Sequence, residues 1–252
     1  MRTALITGHK GFIGRHLFAE MQKMYNVIGI DIKDGNDLLV CPLPEVDIVV
    51  HLAAKAGVRE SLQNPNLYWE QNVKVSERLF NFYKNRNTHI LYASSSSAKQ
   101  WHLNPYATTK KVVEQIAPPR SLGMRFHTVY GFDSRPDMLY DNILNRTVPY
   151  ATSHTRDFTH VDDVVSGIIT LLHNKIVGVV DIGSGNPVSV VELLKHASID
   201  VPIKDTTGEA ISTLADPFEL RELDWSPTKN IFVELDNDII RKIEMEKHTQ
   251  HR

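Results

Sequence analysis

Residues 5–14 read Leu-Ile-Thr-Gly-His-Lys-Gly-Phe-Ile-Gly, and this turn sets the fold class. The apolar run over 1–7 predicts a short strand, and the pattern over 14–24 predicts an amphipathic helix. Three glycines punctuate the turn between them, at Gly8, Gly11 and Gly14. Glycines there permit a tight backbone path, close approach of N–H groups to a pyrophosphate, and close packing of helix on strand. Because a helix N-terminus adds partial positive charge, the stretch predicts a dinucleotide site.

The second predicted strand, 26–30, ends at Asp31, twenty residues after Gly11. A carboxylate at this position can accept hydrogen bonds from a ribose diol and would repel a 2′-phosphate, which favours NAD. Lys10 favours NADP instead, because a cation in the glycine turn can meet that phosphate. We predict NAD as the cofactor.

The composition is that of an ordinary globular protein: 252 residues, 42% hydrophobic and 23% charged. A formal charge of −2 gives no electrostatic case for binding nucleic acid or an anionic membrane. The single cysteine, Cys41, excludes an internal disulfide and predicts a reducing, cytoplasmic location. We expect no signal peptide and no membrane span, since the first strand starts at once and no run approaches about 20 apolar residues. The twelve histidines show no ligand spacing, so we predict no metal.

Apolar strands alternate with helical patterns along the chain, which predicts an α/β fold with a Rossmann-type, doubly wound parallel sheet. The remaining predicted strands are 47–52, 89–93, 124–127 and 177–182, and the remaining helices are 66–85, 106–117 and 161–173. Short elements and prolines in the last third predict a small C-terminal substrate lobe, and the charged residues 244–252 predict a disordered tail. We therefore divide the chain into a dinucleotide-binding domain (1–133), a substrate-lobe segment (134–156), a return to the Rossmann core (157–184), and the lobe with its tail (185–252).

Tyr106 and Lys110 lie four residues apart on a predicted helix and so share one face. A nearby ammonium lowers the pKa of a phenol from its ordinary value of about 10, which suits the tyrosine to act as a base. Ser95, at the end of the preceding strand, could hydrogen-bond the reacting oxygen. The pattern is weak alone, but it follows a nucleotide-binding turn and a serine-rich strand end.

Further motifs run nearly end to end: Thr-Gly-x-x-Gly-Phe-Ile-Gly at 7–14, His-Leu-Ala-Ala at 51–54, Tyr-Ala-Ser-Ser-Ser-Ser at 92–97, Pro-Tyr-x-x-x-Lys at 105–110, Arg-Phe-His-Thr-Val-Tyr-Gly at 125–131, Arg-Asp-Phe-Thr-His-Val-Asp-Asp at 156–163 and Ala-Asp at 215–216. Together they resemble the extended short-chain dehydrogenase/reductases of the NAD-dependent nucleotide-sugar epimerase/dehydratase family. Within that family, Ala-Gly-Val-Arg at 56–59 and the stretch 128–138 are most similar to UDP-glucuronate 4-epimerases.

The resemblance implies a catalytic set of Ser95, Tyr106 and Lys110, in which Tyr106 takes the sugar 4-OH proton while C4 gives hydride to NAD. The 4-keto sugar would turn over in the pocket and receive the hydride on its other face. The implied cofactor-binding residues are Gly8, Lys10, Gly11, Phe12, Ile13, Gly14, Asp31, Asp37, Leu38, Leu52, Ala53, Ala54, Tyr106 and Lys110. The implied substrate-binding residues are Arg59, Ser95, Ser96, Thr128, Arg135 and Arg156. Of these, Thr128 and Arg135 fall where the sugar carboxylate is held, and Arg156 where the UDP pyrophosphate is contacted.

The sequence also departs from the family pattern. Ala98-Lys99-Gln100 replaces Val-Tyr-Gly after the serines, and Tyr106 follows Ser95 by only eleven residues. Ser96 and Ser97 stand where dehydratases carry an Asp-Glu pair, which disfavours elimination of water. Two alternatives to an epimerase stay open: an NAD(P)H-dependent 4-keto-sugar reductase, and a catalytically silent nucleotide-sensing module. The family uses the helix that carries Tyr106 in its dimer interface, so a homodimer is a possible assembly, although Pro118-Pro119 end that helix early.

Overall fold

The computed structural model describes residues 1–250. These residues form nine strands, namely β1 (Thr3–Thr7), β2 (Asn26–Ile30), β3 (Ile48–His51), β4 (His89–Ser95), β5 (Ser121–Phe126), β6 (Thr128–Tyr130), β7 (Thr155–His160), β8 (Gly178–Ile182) and β9 (Pro187–Ser189). The α-helices are α1 (Phe12–Met21), α2 (Val58–Gln63), α3 (Pro65–Tyr68), α4 (Val75–Tyr83), α5 (Pro105–Ile116), α6 (Leu139–Asn145), α7 (Val161–Asn174), α8 (Val190–His196), α9 (Phe218–Arg221) and α10 (Ile231–Gln250). A π-helical stretch, Trp69–Lys74, joins α3 to α4, and 3-10 turns cover Ile32–Asp34 and Ser96–Leu103.

Six parallel strands form the main sheet in the order β2-β1-β3-β4-β5-β8. The chain runs from β1 outward to β2 and then returns to the other side of β1 as β3, so the winding direction reverses between β1 and β3. Ligands of open α/β sheets bind in the crevice at such a switch point, beyond the carboxyl ends of the strands. The predicted Rossmann-type fold class is confirmed.

Apolar cores lie on both faces of the main sheet, which explains why its strands read as continuous apolar runs. On one face, Leu17 of α1 and Ile168 of α7 pack over Ile6 and Val50. On the other, Leu79 and Phe80 of α4 pack over Leu5 and Val49. Residues in β1 and β3 are therefore buried whichever way they point.

The predicted substrate lobe is built on a second, three-stranded sheet. In it β7 pairs in parallel with β6 and antiparallel with β9. A third apolar core, which includes Ile143 of α6, Leu193 of α8 and Leu235 of α10, packs beside this sheet. The small sheet draws strands from all four predicted segments, so the boundaries of that division stay a prediction.

Several secondary-structure predictions need correction, among them the helix predicted over 14–24, which runs over Phe12–Met21. The strand predicted over 124–127 is Ser121–Phe126, because its ladder with β4 already begins where Ser121 pairs with Ile90. Gly123 lies in that early part, where a Cβ would lie 2.6 Å from the Tyr92 hydroxyl. The tail predicted to be disordered is helical as far as Gln250, since α10 is anchored by Ile231 and Leu235 and continues through good helix formers. Residues 251–252 of that predicted tail lie outside the described residues.

Within residues 1–250, each helix is too short or too polar to cross a lipid bilayer.

Candidate active site

The glycine turn lies at the switch point between β1 and β3. Gly8 has φ +72°, a left-handed conformation that favours glycine, and its N–H donates to the Ile30 carbonyl oxygen at 2.8 Å. A Cβ at Gly8 would lie 2.7 Å from the Ala53 nitrogen, and one at Gly14 would lie 2.0 Å from the Gly8 oxygen. These positions therefore admit no side chain, because the turn packs closely on itself and on the residues that follow β3.

Helix α1 presents free N–H groups to this turn. Its first helical hydrogen bond runs from the Arg15 nitrogen to the Gly11 oxygen at 3.0 Å, so the N–H groups of Phe12, Ile13 and Gly14 have no partner within the helix. Such a helix start binds phosphate readily. The chain thus provides a cradle that fits the pyrophosphate of a dinucleotide.

Asp31 closes β2 with a buried carboxylate, 6% exposed. Its two oxygens accept hydrogen bonds from the backbone nitrogens of Lys10 and Lys33, both at 2.9 Å. The Lys10 ammonium pairs with Asp34, and the Lys33 ammonium donates to the Lys10 carbonyl oxygen at 3.1 Å. Lys10, the residue that favoured NADP in the sequence analysis, is therefore already paired with the Asp34 carboxylate. Asp31 lies at the end of β2, next to the glycine turn, where it could accept hydrogen bonds from a ribose diol.

The other predicted cofactor residues surround the same crevice. Asp37 accepts a hydrogen bond from the Leu39 nitrogen at 2.8 Å, which orders the loop that carries the buried Leu38. Beyond β3, the Ala53 nitrogen donates to the Thr7 hydroxyl at 3.3 Å. Leu52, Ala53 and Ala54 follow β3 directly and so border the Gly8 turn.

Helix α5 brings the predicted catalytic residues to the carboxyl end of β4. Pro105 at its start and the Asn104 N-cap, whose side chain accepts from the Ala107 nitrogen at 2.8 Å, fix where the helix begins. Tyr106 and Lys110 follow one turn apart, and the Lys110 nitrogen lies 5.9 Å from the centre of the Tyr106 ring. Ser95, the last residue of β4, lies near the Tyr106 hydroxyl and lowers the pKa of that phenol. The structure therefore brings Ser95, Tyr106 and Lys110 together.

Burial is the largest influence on the pKa values of Tyr106 and Lys110 in the protein without ligand. It raises the pKa of Tyr106, while the Ser95 hydrogen bond and the Arg135 charge act in the opposite direction. It also lowers the pKa of Lys110 to about 8. The direction for Tyr106 is opposite to the sequence-based expectation, because desolvation of the buried phenol outweighs the charges around it. The Lys110 ammonium instead donates to the Ala93 carbonyl oxygen at 2.9 Å.

Arg135 lies across the mouth of this site. Its Nη1 donates to the Ala56 carbonyl oxygen at 3.1 Å, and its Nε pairs with Asp137 at 3.0 Å. The Ala56 oxygen also accepts from the Tyr68 hydroxyl at 3.1 Å, and the Tyr68 ring meets the Tyr106 ring edge-on at 6.2 Å. Arg135 is thus within electrostatic reach of Tyr106, and its side chain is 42% exposed.

A second cationic group lies in the substrate lobe. Arg156 of β7 pairs with Glu209 at 3.3 Å and donates to Nδ1 of His154 at 2.8 Å. Because a guanidinium only donates, Nδ1 must accept, which fits a neutral His154 whose pKa burial lowers. Arg59 reaches the same carboxylate from α2, at 3.7 Å. Two arginines from different parts of the chain therefore converge on one anion.

This arrangement has counterparts among known proteins. A model described as the NAD dependent epimerase/dehydratase family matches residues 4–183. The chain belongs to this family. The family predicted from the motifs is thereby confirmed.

Three relatives indicate where the chain lies within the epimerase/dehydratase family. UDP-glucuronate 4-epimerase 4 of Arabidopsis thaliana is 27% identical over 91% of this chain and 72% of the plant protein. The structure of UDP-glucuronic acid 4-epimerase from Bacillus cereus, in complex with UDP-glucuronic acid and NAD, is 26% identical with a TM-score of 0.85, covering 96% of this chain and 99% of that one. MoeE5 in complex with UDP-glucuronic acid and NAD is likewise 26% identical with a TM-score of 0.85, covering 97% and 99%.

Two further predicted substrate-binding residues of this epimerase/dehydratase chain, Ser96 and Thr128, share no hydrogen bond with the catalytic set within residues 1–250. Ser96 is half-buried at the start of the 3-10 turn after Ser95. Thr128 stands in β6, paired with Phe158, and among the described residues it shares no hydrogen bond with Arg135. The roles given to Thr128 and Ser96 stay predictions. The part of the chain that the structure describes also holds no cluster of metal-binding side chains.

Several residues around the site escaped the sequence analysis. Tyr68 is fully buried against Tyr106, and Asn72 donates to the Thr109 hydroxyl at 3.0 Å, next to Lys110. Asn72 lies in the π-helical stretch, a feature common at functional sites but invisible in the sequence. His51 bridges the Thr7 and Ser76 hydroxyls at 2.7 and 3.0 Å, and burial, with a smaller effect of Lys110, lowers its pKa to about 3. His51, the last residue of β3, is therefore neutral and joins the two hydroxyls by hydrogen bonds.

Proposed function

We propose that this chain is an NAD-dependent nucleotide-sugar 4-epimerase whose substrate is UDP-glucuronate and whose product is UDP-galacturonate. The observation that carries the proposal is the meeting of Ser95, Tyr106 and Lys110 at the carboxyl end of β4, on the edge of the sheet that also carries the glycine turn and within electrostatic reach of Arg135. The named relatives with UDP-glucuronate epimerase activity support the choice of sugar.

Tyr106 is the proposed proton acceptor for the sugar 4-OH. The nearby Ser95 hydroxyl and the Arg135 charge both lower the pKa of Tyr106 and so favour the phenolate. Lys110 is protonated below its pKa of about 8, so its ammonium can favour the phenolate and hold a ribose hydroxyl. Tyr106 would return the proton after the sugar has turned over.

The cofactor cradle is formed by residues of this chain. The Gly8–Gly14 turn and the start of α1 would hold the pyrophosphate of NAD, and Asp31 would accept its adenosine ribose hydroxyls. When bound, NAD supplies a hydride acceptor for C4 and a donor that returns the hydride to the opposite face.

Arg135 and Arg156 are the proposed anchors for the two charged parts of the substrate. The Arg135 fork matches the sugar carboxylate, with Thr128 as its proposed companion. Arg156 and Arg59 converge from two elements, an arrangement that suits a diphosphate. Such separated anchors would fix the sugar ring between them.

The test is to convert UDP-glucuronate with freshly purified protein, without added cofactor, and to identify nucleotide released on denaturation. Retained NAD with formation of UDP-galacturonate supports the epimerase. An empty site and consumption of NADPH by a 4-keto sugar would favour the reductase. UDP-sugar binding without turnover would favour the sensing module.

We further propose a homodimer and a cytoplasmic location. A cavity of about 460 Å³ beside α5 is lined by Leu62, Trp69 and Pro105 among others, and Trp69 and Trp101 are 42% and 50% exposed. Exposed apolar surface beside the Tyr106 helix supports a dimer through this face. Light scattering of wild type and Trp69→Glu tests the assembly, and a monomeric wild type would contradict the proposed homodimer.

The proposed cytoplasmic location is supported by the single cysteine, Cys41, which fits a reducing compartment.

A further inference from the structure

A short strap, residues 205–209, is held at its base by the substrate lobe. The Asp205 carboxylate accepts hydrogen bonds from the nitrogen and the hydroxyl of Ser153, both at 2.8 Å. Backbone hydrogen bonds fix the chain before and after the strap, from the Lys204 nitrogen to the Ala151 oxygen (2.8 Å) and from the Thr155 nitrogen to the Ile211 oxygen (2.9 Å). The strap is therefore tied to the lobe by the chain on both sides of it.

The far end of the strap reaches the dinucleotide-binding half. Gly208, at φ +83°, turns its carbonyl oxygen to the Asn104 side chain, whose Nδ2 donates to it at 2.8 Å. The next residue, Glu209, places its carboxylate between Arg59 and Arg156. Gly208 of the strap thus contacts the N-cap residue of α5, and the next residue, Glu209, forms ion pairs with both arginines.

Asn104 uses both ends of one planar amide. Its Oδ1 caps α5 by accepting from the Ala107 nitrogen, and its Nδ2 holds Gly208. The side chain is buried, 6% exposed, and the helix that it caps carries Tyr106 and Lys110. Because the amide is rigid, a shift of the strap must either break the second bond or pull on the first turn of α5.

We propose that Asn104 is a positioning residue that ties the strap to the catalytic helix, so that a diphosphate exchanging with Glu209 at the arginines changes the placement of Tyr106. The inference rests on the function proposed above for the identity of the diphosphate. The link itself involves residues of this chain alone and can be tested without any ligand.

The isosteric variant Asn104→Asp separates the two roles of the amide. Aspartate is as good an N-cap as asparagine, so the cap on α5 is retained. Its second oxygen would face the Gly208 carbonyl, and two acceptors cannot bond, so the strap is released. Asn104→Ala removes both contacts and serves as the reference for a lost cap, with a lower melting temperature than Asn104→Asp.

The ligand-free test perturbs Glu209 and measures hydrogen exchange at residues 105–110. In full-length protein, Glu209→Gln should speed exchange of the strap and, through Asn104, of the first turn of α5 by about threefold or more. The exposed Glu192→Gln, in the first turn of α8, is the matched control and should change neither segment. Adding Glu209→Gln to Asn104→Asp should cause no further change at 105–110, because the link is already cut. Unchanged exchange at 105–110 in Glu209→Gln would overturn the proposal.

The catalytic test uses UDP-glucuronate and the same variants. Asn104→Asp should lower kcat about threefold to tenfold while its melting temperature stays above that of Asn104→Ala, and its KM should change less than its kcat, a split that a purely structural role would not give. Wild-type kcat and KM in Asn104→Asp would overturn the inference and leave the proposed function intact. A wild type that neither binds nor converts UDP-glucuronate would remove the proposed function, while the exchange experiment would still decide the link.

Discussion

The Lys110 ammonium lies 5.9 Å from the centre of the Tyr106 ring and donates its hydrogen bond to the Ala93 carbonyl oxygen at 2.9 Å. Lys110 is 4% exposed, and burial lowers its pKa from 10.5 to about 8. The buried ammonium therefore lowers the free energy of unfolding of the protein while it is protonated.

Lys110→Met should stabilise the nucleotide-free protein at pH 7. Below pH 8 the wild type carries the cost of the buried cation, which is on the order of 3 kcal/mol at 1.36 kcal/mol per pH unit and is offset in part by the bond to Ala93. Between about pH 8 and 10.5 the unfolded chain holds the proton that the folded chain has lost, so the stability of the wild type rises with pH relative to the variant. Urea unfolding of both proteins at pH 7 and pH 10 measures this difference. Parallel pH profiles would show that Lys110 titrates normally.

Tyr106→Phe should abolish turnover, with at least about a hundredfold loss, while cofactor still binds. The variant keeps the ring that packs on Tyr68 and removes the hydroxyl whose pKa the nearby Ser95 lowers. Tyr68→Phe is the matched control, since its hydroxyl contacts Ala56 and Glu60 rather than Ser95, and it should keep most activity. Substantial activity in Tyr106→Phe would remove the proton-transfer role.

The wild type should prefer NAD over NADP by about 1–3 kcal/mol, because the Asp31 carboxylate repels a 2′-phosphate. Asp31→Asn should reduce that preference. Asp34→Asn should also raise NADP affinity, since it frees the Lys10 ammonium that Asp34 now pairs with. Titration of both cofactors into stripped protein measures these changes. Tighter binding of NADP by the wild type would show that Lys10 or Lys33 dominates and would favour the reductase.

The sequence predicted those features that depend on local pattern. The glycine turn, Asp31 at the strand end, and Tyr106 with Lys110 on one helical face all follow from spacing along the chain, and the structure places them as a group. Contacts between distant segments have no such signal. Glu209 meets Arg59 and Arg156, and Asn104 meets Gly208, only after the lobe has folded against the sheet.

The same limit explains the pKa of Tyr106. Spacing correctly puts an ammonium near the phenol, but it carries no information about burial or about the Ala93 carbonyl that engages Lys110. Desolvation outweighs the nearby charges, so the direction of the pKa shift could be read only from the folded protein.

The sugar carboxylate gives the remaining prediction, centred on Arg135. The guanidinium is anchored by the Ala56 carbonyl and Asp137, the side chain is 42% exposed, and its charge acts on Tyr106. A C6 carboxylate next to a 4-keto group is a β-keto acid, which loses CO₂ when its C–C bond aligns with the carbonyl π system. A two-point clamp that prevents this alignment would both anchor the substrate and protect the product.

UDP-glucuronate should therefore be turned over about one to two decades faster than UDP-glucose by the wild type, since a charge-assisted contact is worth roughly 1.5–3 kcal/mol. Arg135→Ala should erase most of this discrimination and release some decarboxylated pentose. Arg135→Lys, which keeps the charge and loses the fork, should retain part of the rate preference but protect the 4-keto stage less well. Measurement of kcat/KM for both sugars reports how far Arg135 anchors the substrate carboxylate. Mass spectrometry of the products reports how far it protects the 4-keto sugar from losing CO₂. Equal turnover of the two sugars by the wild type would contradict the carboxylate role, and the eleven-residue step from Ser95 to Tyr106 would then be the first region to examine for a different sugar.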